Sequence, residues 1–220
     1  MSELLVTYRL AGRRLQDILQ EHLKSEQLDL PKIVFDAHLA RHVTKYLSRD
    51  EDPQVKELCR TLDELLVRTL DTYDLHDLNQ EEQFQKAKVM LSYESRGLAY
   101  PIIVIHYYAG ERLLKVIRDK MQDGSVNEDW YEFCVAINNQ ITSTLNIFAE
   151  DHIIYLGVLT RGGVEGIMQR HRHVAIPQAQ LYYQVVTQEI DHFYKKSEQL
   201  IKDFQIAISE MRHHLLQPTI

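Results

Sequence analysis

The chain has 220 residues, of which 45% are apolar and 26% charged, and its formal net charge is −7. That length suits one sizeable domain, or a domain with a long appended helix. An acidic balance without a basic face excludes phosphate backbones as general partners, so no nucleic acid is expected.

The two cysteines, Cys59 and Cys134, lie far apart in apolar surroundings. They read as buried free thiols of a reducing compartment, not as a disulfide framework or a zinc site. Residues 1–11 carry no basic-then-apolar leader pattern, and no apolar run reaches the ~20 residues of a membrane span. A cytoplasmic protein with no membrane partner is the expectation.

Apolar residues recur at spacings of 3 and 4 almost throughout, and only 8 Gly and 5 Pro interrupt them, so the predicted fold class is all-α. Leu4, Leu5, Tyr8, Leu15, Ile18 and Leu19 mark a first amphipathic helix. Asp29-Leu30-Pro31 reads as a cap with an early proline, opening a helix through Ile33, Ala37, Ala40, Val43 and Leu47. Asp52-Pro53 repeats that signal ahead of Leu58, Leu62, Leu65, Leu66 and Leu70. Asn79 with Glu82 resembles a capping box before Phe84, Ala87 and Leu91. Gly97 interrupts, and Pro101 begins the most apolar stretch, Ile102 to Ile117. Asp123-Gly124 is a turn, after which Asn127 caps a helix carrying Trp130, Cys134, Ile137, Ile141, Leu145 and Phe148. The pattern predicts about six helices before residue 160, packed as one globule.

The glycine cluster Arg161-Gly162-Gly163 to Gly166 is the expected hinge, so the predicted division is 1–160 for the globule, 161–176 for a connector and 177–217 for a long helix. After Pro177 no Gly or Pro occurs until Pro218. The apolar positions Ile190, Tyr194, Ile201, Phe204, Ile208, Met211 and Leu215, with Ser197 as a weak layer, step by 4 and 3. A sustained 3.5-residue seam predicts a coiled coil, and a second copy aligned by two-fold symmetry is the expected partner. The other reading is a long helix packed on its own globule.

Chemistry-bearing motifs are sparse. Glu189/His192 and Glu210/His213 each share a helical face, as carboxylate-bridged metal bundles require. They stand three heptads apart, about 30 Å along one helix, and cannot share a metal centre. His171 and His173 are two residues apart and do not face each other on a helix. Glu150-Asp151-His152 lacks a nucleophile, and no phosphate-cradling glycine loop, nucleophile elbow or zinc signature is present. His106, among apolar neighbours, reads as a core histidine or as part of a ligand pocket. No enzyme activity, metal or other cofactor is expected.

The stretch Tyr93-Glu94-Ser95-Arg96-Gly97-Leu98, the apolar helix to Met121, and Trp130 to Tyr155 resemble the globin-like N-terminal domain of RsbR-type stressosome sensors, over residues 80–158. The resemblance implies a globin-like sensor domain followed by a long coiled-coil helix leading to an output domain. In heme-binding sensor globins the proximal histidine stands four residues before the equivalent glycine, and Tyr93 holds that place here. A heme-free sensor is therefore what the resemblance implies, with heme held by a Tyr93 tyrosinate as the other reading, and a pocket lined by Tyr93, His106, Tyr107 and Trp130. Residues 159–190 are longer than the family pattern.

The final residues, Met211 to Ile220, are similar to two things. One is the Leu-x-x-Pro-x-Ile opening of the STAS output domain of stressosome proteins. The other is the histidine-kinase phosphoacceptor box, with His213 five positions before Pro218, although His214 and Leu216 depart from its acidic and basic positions. Both imply an output domain beyond Ile220. The functional expectation is thus a regulatory sensor acting through a homodimeric coil on a downstream protein or domain. The sensory and dimerisation region of a histidine kinase, with His213 as phosphoacceptor, and a free-standing helical adaptor are the other readings.

Overall fold

The structure, a computed structural model, describes residues 2–27, 29–75, 100–146 and 177–216, the side chains of 31, 100, 101 and 177–194 excepted. The described residues are helical with no strand among them. Ser2 accepts from the Leu5 amide at 3.3 Å and opens α1, Glu3–Lys24. Asp29 accepts from the Lys32 amide at 3.2 Å, with Pro31 in the first turn of α2, Leu30–Leu47. Asp52 accepts from the Gln54 amide at 2.8 Å and opens α3, Pro53–Thr72. Each cap satisfies an amide that the first turn leaves unpaired.

The helix α3 stops where Asp74 turns to a φ of 52° and the Leu75 amide reaches back to Leu70 O at 2.8 Å. The same closure ends α4, Tyr100–Gln122: Gly124 has a φ of 71° and the Ser125 amide donates to Lys120 O at 3.1 Å. Only a left-handed residue closes a helix in this way, and glycine adopts that conformation without strain. Asn127 then accepts from the Trp130 amide at 2.9 Å and starts α5, which is described over 128–146. The last helix, α6, runs unbroken over Pro177–Leu216.

Burial separates these helices by role. In α1 and α3 one stripe is covered: Tyr8, Ala11, Leu15 and Leu19 in the first, Leu58, Leu62, Leu65 and Leu66 in the second. In α2 and α4 eight consecutive residues, 33–40 and 103–110, are all buried, so over those two turns each helix is enclosed on every side. A helix apolar all round has no solvent face and becomes the centre of a bundle. α1 packs on α2, α3 and α4, and α2 packs on α3. Gly12 permits the closest approach there, since a Cβ on it would stand 3.2 Å from Leu58 and 3.3 Å from Val43.

The long helix does not stand free. α6 lies on α2 and α4 through Ser197, Leu200, Phe204, Ala207 and Met211, all buried within the single chain. Phe204 and Met211, two residues of the seam expected to face a second copy, are fully enclosed. Ile201 and Ile208 are partly covered by the same core, and Leu215 is half-buried. Over Ser197–Met211 the stripe is thus covered by α2 and α4 of the same chain, while Ile201, Ile208 and Leu215 keep part of their surface open. The side chains of Ile190 and Tyr194 lie outside the described residues.

Candidate functional site

Of the four residues expected to line one pocket, Tyr93 lies outside the described residues. His106 is 2% exposed, with Nδ1 2.8 Å from the Ile102 carbonyl. Nδ1 therefore donates, and Nε2, buried and without a hydrogen-bond partner, is left as an acceptor. Burial lowers the pKa of this imidazole below its ordinary 6.5, against the opposing pull of the Ile102 carbonyl. Trp130 stands elsewhere: Lys120 Nζ lies over its ring, 5.2 Å from the centroid. Residues 106 and 120 are about 21 Å apart along α4 at the rise of a helix. Trp130 is thus held at the far end of α4, and the expected pocket does not close around His106 and Trp130 together.

Tyr107 does line a cleft, a different one. Between α4 and α6 lies a space of 290 Å³ walled by Tyr107, Glu111 and Arg118 on one side and Lys196, Gln199 and Asp203 on the other. Leu114 and Leu200, both buried, complete its lining. Tyr107 donates its hydroxyl to Glu111 Oε1 at 3.0 Å, and Gln199 donates to Asp203 at 2.8 Å. Burial, reinforced by the Glu111 carboxylate, pushes the Tyr107 phenol up, so it remains a donor. One turn away Gly110 faces α6 so closely that a Cβ would meet Leu200 Cδ2 at 2.6 Å, Phe204 Cε2 at 3.2 Å and Ile141 Cγ2 at 3.4 Å. The cleft is the polar edge of the contact that docks the long helix.

A second constellation has no motif to mark it in the sequence. Asp36, in the enclosed stretch of α2, is wholly buried. His22 Nε2 of α1 lies 2.9 Å from Oδ2, Lys32 Nζ donates to Oδ1 at 2.9 Å, and the Tyr108 hydroxyl of α4 donates to Oδ1 at 2.8 Å. Tyr73, just after α3, donates to the His22 carbonyl at 2.7 Å. The network thus joins four parts of the bundle around one carboxylate. Burial alone would raise the Asp36 pKa, but the Lys32 ammonium and the hydrogen bonds from His22 and Lys32 outweigh it and hold the carboxyl below its ordinary 3.8. The available signal was an aspartate in the middle of a run apolar on all sides, which requires a buried partner.

Among the described residues no three His, Cys, Asp or Glu side chains stand close enough to share a metal ion. His213 is exposed in the last turn of α6, beside Glu210. His171, His173, the Glu150–His152 cluster, the 161–166 glycine segment and the Asn79/Glu82 capping box lie outside the described residues. No helix among them is long and apolar enough to cross a membrane. No family model matches the chain, and no curated protein or solved structure is significantly similar to it.

Proposed function

We propose that this chain is a helical regulatory module, not an enzyme, in which α6 is the element that transmits a signal to a downstream domain or partner. The observation that carries this reading is the construction of the α4–α6 contact. A 40-residue helix is held on the bundle by a narrow line of five side chains from Ser197 to Met211. Beside that line runs the polar cleft of Tyr107, Glu111, Arg118, Lys196 and Asp203. A tight apolar seam with a solvated polar edge supports two discrete states, docked and undocked, whose populations a ligand or partner shifts by binding one better than the other. The resemblance of residues 80–158 to stressosome sensor domains points the same way.

The test uses a fusion of this chain to a reporter domain whose output depends on the position of the helix entering it. Gly110→Val places a branched side chain where Leu200 and Phe204 now sit, and is expected to undock α6 and change the output. Val67→Ala, at an exposed site of α3, is the silent control. Unchanged output from Gly110→Val, with hydrogen exchange showing α6 released, would remove α6 from the signalling path.

A further inference from the structure

A second cleft, of 470 Å³, lies between α1 and α4 and is lined almost entirely by charged side chains. Four are cations, Arg14, Lys24, Arg112 and Lys115, and three are carboxylates, Asp17, Glu21 and Glu111. All three carboxylates are engaged with the arginines. Arg14 Nε donates to Glu111 Oε2 at 3.0 Å and Arg14 Nη1 to Glu21 at 3.3 Å, while Arg112 Nη1 donates to Asp17 at 3.2 Å. Lys24 and Lys115, on opposite walls, are left with no ion pair among the described residues, and Gln20 also lines the α1 wall. The result is a notch with one more cation than carboxylate, on a chain whose net charge is −7, lined by two ammonium groups that no carboxylate engages among the described residues.

We propose that this cleft binds a small molecule bearing a doubly negative oxyanion, a phosphate or a dicarboxylate, between Lys24 and Lys115. Two charges meet two charges, and Arg112, already oriented by Asp17, fixes one wall. The site also has a connection to α6. Glu111 accepts from Arg14 on the cleft side and, through its other oxygen, from Tyr107 on the α6 side. An anion that draws Arg14 toward itself loosens the Arg14–Glu111 bond and leaves Glu111 to Tyr107, at the edge where α6 docks. This second step rests on the regulatory reading above; the binding site does not.

The experiment titrates the full chain with sodium phosphate and with sodium succinate, against sodium chloride at matched ionic strength, by calorimetry. Saturable one-to-one binding of one of them is expected, weakened about tenfold or more in Lys24→Gln/Lys115→Gln, because two charge-assisted hydrogen bonds are lost. The tighter of the two ligands identifies the oxyanion. Binding that merely follows ionic strength, or equal affinity in the double variant, overturns the site. Hydrogen exchange over 197–211 separates the two claims. An exchange change on anion addition that Tyr107→Phe abolishes supports the coupling. Lysine-dependent binding with no change in α6 upholds the site and overturns the coupling.

Discussion

Asp36 and His22 face each other across α1 and α2, with Oδ2 of the enclosed carboxylate 2.9 Å from the imidazole Nε2. Lys32 reaches the other oxygen from one turn away, with a side chain 24% exposed. Asp36→Asn keeps the shape and removes the charge that the Lys32 ammonium answers. A buried pair broken on one side costs about 3 kcal/mol, and the urea midpoint at pH 7 should fall accordingly with an unchanged slope. Because the folded pKa of Asp36 is depressed, its contribution is full above the unfolded value near 3.8 and is lost as the pH falls through the folded one. The gap between wild type and variant should therefore narrow on acidification below 3.8, and a gap constant with pH would show that the charge is not what the site stabilises.

His106 predicts a different window. Its folded pKa is lowered from 6.5 by burial, so below 6.5 the unfolded chain binds the proton that the folded chain refuses. Stability then falls as the pH drops from 6.5 toward the folded value. His106→Leu removes both the proton site and the unpartnered Nε2, and should lie within about 1 kcal/mol of wild type at pH 7. Between pH 6.5 and 5 the variant should lose less stability than the wild type in urea titrations. Parallel curves would place the acid sensitivity elsewhere.

Phe204 and Ile206 stand two residues apart on α6 and meet opposite fates, 0% and 57% exposed. Phe204→Ala should cost about 3–5 kcal/mol, and this loss should not depend on protein concentration. Ile206→Ala should stay within about 0.5 kcal/mol. A Phe204→Ala effect that appears only at concentrations where wild type self-associates would restore the seam to a second copy.

The two thiols should react in a fixed order. Cys134 is fully covered and burial pushes its pKa up to about 12, whereas Cys59 is half-buried with its pKa raised less far. A thiol reagent at pH 8 should label Cys59 first, and Cys134 only as fast as the chain unfolds. Mass spectrometry across a urea series checks this, and urea-independent labelling of Cys134 would reveal local opening of α5.

Much of the helical skeleton was readable before any coordinates. Asp29, Asp52 and Asn127 cap their helices, and Gly124 closes α4, because each acts on backbone groups within five residues of itself. The buried stripes of α1 and α3 follow from spacing alone. What spacing reports is that a face is covered, never by what. The stripe from Ser197 to Met211 reads identically whether a second copy or α2 and α4 lie against it. In the packed chain it turns inward, onto α2 and α4.

The Asp36 network shows the same limit in polar terms. Its partners sit 14 positions before and 72 positions after it in the chain, and nothing local marks His22 or Tyr108 as its companions. Tyr107, the neighbour expected in a pocket, turns instead to Glu111 and the edge of α6. Local hydrogen bonding and helical periodicity are written in neighbouring residues, so the all-helical character and the described helix ends follow from the amino-acid order. Which helices enclose one another, and hence which charges meet, depends on contacts between distant segments, and these exist only once the bundle has closed.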